Sequence, residues 1–89
     1  MKRVSQTTQF ARDIKKMRRR GKDLEKLKSI VTKLARDKWL EPKHRDHRLT
    51  GPWKNCRDCH IEPDWILIYS VDSQSFRLER TGSHSDLFK

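Results

Sequence analysis

The chain has 89 residues, 33% hydrophobic and 38% charged, and 22 Lys and Arg against 12 Asp and Glu give it a net charge of +10. That length suits one domain over residues 1–89 with a thin core. No run approaches the roughly 18 apolar residues that a membrane span needs, so no membrane role is expected.

The charge is uneven. Residues 1–48 hold 17 Lys and Arg against 6 Asp and Glu, an excess of eleven, whereas residues 49–89 hold 5 against 6. The first half reads as a docking surface for a polyanion or an acidic protein. The second half reads as the carrier of chemistry.

In chain order, Lys2–Thr7 predicts a short strand. No apolar run follows its basic residues, so no signal peptide is expected, the location is read as cytoplasmic, and the two cysteines as free thiols. Thr7 or Thr8 can cap a helix carrying Phe10, Ile14 and Met17 at helical spacing. Arg18, Arg19 and Arg20 close it, where cations suit the negative end of the helix dipole, and Gly21 ends it. A second helix places Leu24, Leu27, Val31 and Leu34 on one stripe with Ile30 beside them. The two helices form a hairpin that packs on a sheet.

Trp39–His47 reads as a loop, with Trp39 and Trp53 as structural residues flanking it. Pro52 bars a regular strand before it, and Trp53–Ile61 is the next expected strand. Glu62-Pro63-Asp64 is a turn, and Trp65–Val71, apolar on both faces, is a central strand. Asp72–Ser75 is a second turn. Phe76–Arg80 alternates as a last strand, Gly82 ends it, and Ser83–Lys89 is a tail. The order strand, two helices, meander gives an α+β fold with the helices on one face.

The chemistry concentrates in RDCHIEPDWILIY, residues 57–69, and in RTGSH, residues 80–84. The CRDCH run matches a haem-attachment pattern that requires export, which nothing else supports. Cys56 and Cys59 with His44 and His47 have the spacing of a zinc site. A pleated strand sends the two cysteines to opposite faces, so no metal or other cofactor is assigned. His47, His60, Asp64, Arg80 and His84 suit RNA cleavage without a metal. A base takes the 2′-hydroxyl proton, an acid protonates the leaving 5′-oxygen, and a cation stabilises the charge on phosphorus. An imidazole titrates near pH 6.5, and a guanidinium fork matches phosphate oxygens. Trp65 and Phe88 are candidates for stacking on bases.

The run from Leu49-Thr50-Gly51-Pro52-Trp53 through RDCHIEPDWILIY to RTGSHSDLF resembles the YafQ branch of the RelE/ParE toxin superfamily. The resemblance spans essentially the whole chain and is most specific in its second half. It implies a microbial-RNase-like fold, two helices on a twisted antiparallel sheet. It implies a ribosome-dependent mRNA endonuclease, the toxin of a type II toxin–antitoxin pair. It also implies an acidic antitoxin that wraps the toxin, in a complex expected to be a heterotetramer. The family's functional positions fall on His47, His60, Asp64, Trp65, Arg80, His84 and Phe88; Arg48 stands where relatives also have Pro. His84 is the expected acid and Asp64, helped by His47 or His60, the expected base. Arg80 would stabilise the phosphate. Arg18, Arg19, Arg20 and Lys22 would dock on ribosomal RNA beside the mRNA. Two rival readings are a ParE-like gyrase inhibitor of the same fold, which has no need for the His/Asp/Arg set, and a small zinc-dependent nucleic-acid binder.

Overall fold

The structure is a computed structural model and describes residues 1–88. Five strands form one sheet in the order β1-β5-β4-β3-β2: β1 Arg3–Gln6, β2 His47–Arg48, β3 Arg57–Glu62, β4 Trp65–Val71 and β5 Ser75–Gly82. The helices are α1 Thr8–Arg19, α2 Leu24–Ala35 and α3 His84–Leu87. This is the expected α+β fold with a helical hairpin on a sheet. The meander from β2 to β5 is antiparallel, while β1 adds to the β5 edge in parallel, so the whole sheet is mixed.

Local chemistry explains the helices. Thr7 caps α1 by accepting the Phe10 N–H at 2.9 Å. Gly21 takes a φ of +79°, which turns the chain without the steric cost a side chain would bring. Asp23 caps α2.

Two cores lie on opposite sides of β4. On the helix side, Phe10, Met17, Leu27 and Ile30 cover Cys59, Ile61, Trp65, Leu67, Tyr69, Phe76 and Leu78. Fully burying such a side chain contributes about 1.5–3 kcal/mol. On the other side, Ile66, Ile68 and Leu87 pack with Leu49, Trp53, Cys56 and Phe88. Both faces of β4 are therefore buried, as its sequence predicts. Ile30, placed beside the α2 stripe, is buried at its centre, while Val31 and Leu34 are only partly buried.

Several expectations change. The strand expected over Trp53–Ile61 begins only at Arg57, because Gly51–Trp53 forms a 3₁₀ turn with Gly51 at a φ of +66°. A short strand, β2, does precede Pro52, paired to β3. The last strand is longer than expected and runs to Gly82. The tail is in part a helix: Ser83 and Asp86 form a capping box that starts α3. Trp39, read as structural, is 97% exposed and packs into neither core. No helix among the described residues is long and apolar enough to cross a membrane.

Candidate active site

Sheet register assembles the site. His47 lies opposite Asp58, Asp58 opposite Ile68, and Ile68 opposite Arg80. Cross-strand neighbours share a face, so the side chains of His47, Asp58 and Arg80 leave the sheet in one row on the side of Ile68. In the next row His60 lies opposite Ile66, and Ile66 opposite Gly82. Two residues beyond Gly82, His84 opens α3 over the same face.

Arg80 reaches this face because of a bulge. Strict alternation would put Phe76, Leu78 and Arg80 together on the helix side. Tyr69 pairs with Leu78 but Ile68 pairs with Arg80, which leaves Glu79 extra. One inserted residue turns the following side chain to the other face. The bulge is held by Thr7 Oγ1 donating to the Glu79 carbonyl and by Ser70 Oγ donating to the Glu79 carboxylate, both at 2.8 Å. Gly82 matters for a different reason: a Cβ there would sit 3.0 Å from Asp86 Cβ and Oδ2. Its absence lets α3 fold back onto the sheet.

The histidines are oriented by backbone carbonyls, which can only accept. His47 Nδ1 lies 2.6 Å from the Arg45 carbonyl and His60 Nδ1 3.1 Å from the Pro63 carbonyl. Each Nδ1 must therefore carry a proton, and each Nε2 is left for chemistry. His44 Nδ1 donates to the His60 carbonyl at 2.7 Å and so clamps the preceding loop onto β3. Asp46 fixes the approach to His47 by accepting from Tyr69 Oη at 2.5 Å and Arg57 Nε at 3.3 Å.

His47 Nε2 lies 2.9 Å from Asp58 Oδ1, in poor hydrogen-bonding alignment, and that oxygen has no hydrogen-bond partner among the described residues. Two bare acceptors repel at this distance, so a proton on Asp58 favours the contact. Asp58 is only 3% exposed. Burial pushes its carboxyl above the ordinary value, while His47, His60 and His84 pull it back down. Asp58 was within reach of sequence reasoning, because it is two residues from His60 on the same strand and so shares its face.

Asp64 Oδ1 accepts the His84 backbone N–H at 2.9 Å, tying the β3–β4 turn to the start of α3. The His84 ring is exposed and lies 5.2 Å from the Phe88 ring, tilted by 47°. Phe88, a candidate for stacking on a base, is half-buried in the second core and backs the imidazole. Trp65 is a clear correction: it is 0% exposed, and its indole donates to Thr81 Oγ1 at 2.9 Å. It cannot stack on a base in this fold.

The expected docking cations divide. Arg20 forms a two-pronged pair with Asp86 at 2.7 and 3.1 Å, and Lys22 pairs with Glu62 at 3.0 Å. Arg18 and Arg19 are exposed and form no ion pair among the described residues. A cleft of about 640 Å³ opens beside His60, but it mixes Lys26, Lys33 and Lys43 with Asp23, Glu25, Glu41 and Glu62 and is no plain phosphate track. Cys56 and Cys59 lie in separate cores on opposite faces, and no cluster of three or more metal-binding side chains occurs among the described residues.

Comparison with known proteins agrees with this geometry. The chain is 43% identical to the mRNA interferase toxin YafQ of Escherichia coli strain K12 over 86 residues, 96% of this chain and 94% of the relative. It superposes on a chain of the E. coli DinJ-YafQ complex with a TM-score of 0.93 and 41% identity over the full length of both. A metal-bound toxin from Helicobacter pylori matches with a TM-score of 0.92 and 39% identity, covering 99% of this chain and all of that one. The family described as the bacterial toxin of the type II toxin-antitoxin system, YafQ, matches residues 2–89. The chain therefore belongs to the YafQ toxin family.

Proposed function

We propose that this protein is an mRNA endonuclease toxin that cuts its substrate in the ribosomal A site and is neutralised by an acidic antitoxin. The row His47–Asp58–Ile68–Arg80, with His60 and His84 beside it, is the observation that carries the reading. A site that only binds has no use for three imidazoles, a buried carboxylate and a guanidinium on one face.

The reaction follows from the groups. His60, with its Nδ1 proton held by Pro63, presents a basic Nε2 that takes the proton of the 2′-hydroxyl. The 2′-oxygen attacks phosphorus, and the bond to the 5′-oxygen breaks. Arg80 stabilises the added charge on the phosphoryl oxygens. His84, exposed at the start of α3, delivers a proton to the leaving oxygen. His47 stands against the buried Asp58 carboxyl at the same site. Asp64, the base that the resemblance implies, instead supports this scheme by anchoring the His84 backbone. The basic first half supplies the affinity for ribosomal RNA, and its charge suits an acidic antitoxin.

The test is cleavage of mRNA on purified ribosomes. His84→Ala and Arg80→Ala are expected to lose about 10²–10⁴ in rate while remaining folded. A chelator selective for transition metals, added at constant magnesium to keep the ribosome intact, is expected to change nothing. An active His84→Ala protein, or inhibition by the chelator, would remove this reading.

A further inference from the structure

Asp13 belongs to no part of the site described so far. It sits on α1 between Phe10 and Met17, on the stripe that faces the core, and is 5% exposed. A carboxylate there must be well paired to survive desolvation. Its Oδ2 accepts from Arg80 Nε at 2.8 Å and from the Thr81 backbone N–H at 3.1 Å. Its Oδ1 accepts from Arg80 Nη2 at 3.2 Å and from Gln9 Nε2 at 3.2 Å. The carboxylate thus grips one edge of the guanidinium and the strand that carries it.

The grip leaves chemistry free. A guanidinium has five N–H donors. Asp13 occupies two, so three remain, including both on Nη1. The Arg80 side chain keeps 26% of its surface open to solvent. The strand is braced from its other side as well, because Thr81 Oγ1 accepts from the Trp65 indole and donates to the Ile66 carbonyl at 2.8 Å.

We infer that Asp13 is a positioning residue for the cleavage reaction: by clamping the Nε edge of Arg80, it aims the Nη1 edge at the phosphate. This rests on the role proposed for Arg80. A freely rotating arginine would still attract phosphate, but it would not hold donors where charge develops. Removing the clamp therefore affects turnover more than binding.

The experiment is a double-mutant cycle in the ribosome assay, with Asp13→Asn, Arg80→Ala and the combined variant, each checked for its melting temperature. Asp13→Asn should lower kcat about 10- to 100-fold, with KM for ribosomes changed less than twofold. In the Arg80→Ala background it should cost less than twofold more. Effects that multiply in the double variant, or a folded Asp13→Asn protein with full kcat, would overturn the inference. Full activity of Arg80→Ala alone would instead sink the role of Arg80. In the unaltered protein, the Arg80 Nε–H should give a resolved nuclear magnetic resonance protected from hydrogen exchange. That measurement tests the clamp itself even if the Asp13 variants do not fold, and an unprotected Nε–H overturns the inference.

Discussion

Trp65 shows how a residue can serve a site without touching substrate. Its indole is sealed inside the helix-side core and bonds the Thr81 hydroxyl next to Arg80. Trp65→Phe removes that donor and leaves a small void, which is expected to cost about 1–3 kcal/mol. In a domain of this size each kcal/mol lowers Tm by about 4–8 °C. Cleavage measured well below the new Tm should survive in good part. A Trp65→Phe protein that kept its Tm but lost cleavage would show that the ring contacts RNA. The thiols respond differently. Burial pushes both upward, Cys59 well above the ordinary thiol range and Cys56 less. Cys59 is expected to stay unmodified by thiol reagents in the native protein. Rapid modification of it would mean that the core opens.

Between elements, Asp86 is the main tie of α3 to α1. It accepts from Arg20 at 2.7 and 3.1 Å and from Lys16 at 3.4 Å, and it caps Ser83 within its own helix. The Arg20 guanidinium, then the Ser83 N–H, hold its carboxyl well below the ordinary carboxylate range. A depressed value means that the charged form is preferred in the folded state. Its stabilisation is therefore complete above the unfolded value and lost as pH falls towards the folded one. Asp86→Asn should lower Tm at neutral pH, and the gap to the parent should close as pH falls below about 4. Thermal melts across that range check this; a gap that stays constant with pH would show that the pair contributes nothing ionic. Because α3 starts at His84, loosening it should also slow cleavage.

On the scale of the whole molecule, the fold sorts charge by job. Arg20 and Lys22, both expected to dock on RNA, are spent inside the protein on Asp86 and Glu62. Arg12, Lys15, Arg18 and Arg19 are exposed along α1 and available to a polyanion. Changing these four to Gln should weaken ribosome binding and flatten its dependence on salt, since each lost phosphate contact reduces counterion release and the slope by about one. Tm should hold. Binding as tight and as salt-sensitive as in the parent would place the docking face elsewhere.

Much of this was legible along the chain, because it depends on neighbours in sequence. Thr7 before a helical stripe, Gly21 after the arginines, an apolar run at 65–71 and turns on either side of it each follow from spacing and backbone chemistry, and the structure has all of them, with the turns narrowed to 63–64 and 72–74. Ser83 and Asp86 carried a capping signal three residues apart that marks α3 just as locally. The pairing of Asp58 with His60 on one face was likewise available from a period of two.

What the sequence determined by itself is the helical hairpin, the central strand, the family and the residue types able to move protons and hold phosphate. Only the tertiary structure decided which of them meet. The row from His47 to Arg80 exists because four strands pair in one register, and strand pairing joins residues far apart in the chain. A single bulged residue, Glu79, then reverses where Arg80 points, against the simple alternation of its own strand. Packing took Trp65 into the core, bound Arg20 and Lys22 to internal partners, and brought Asp13 of the first helix against Arg80. Periodicity shows which way a side chain faces within its own element, but what stands opposite it is settled by the free energy of the assembled fold.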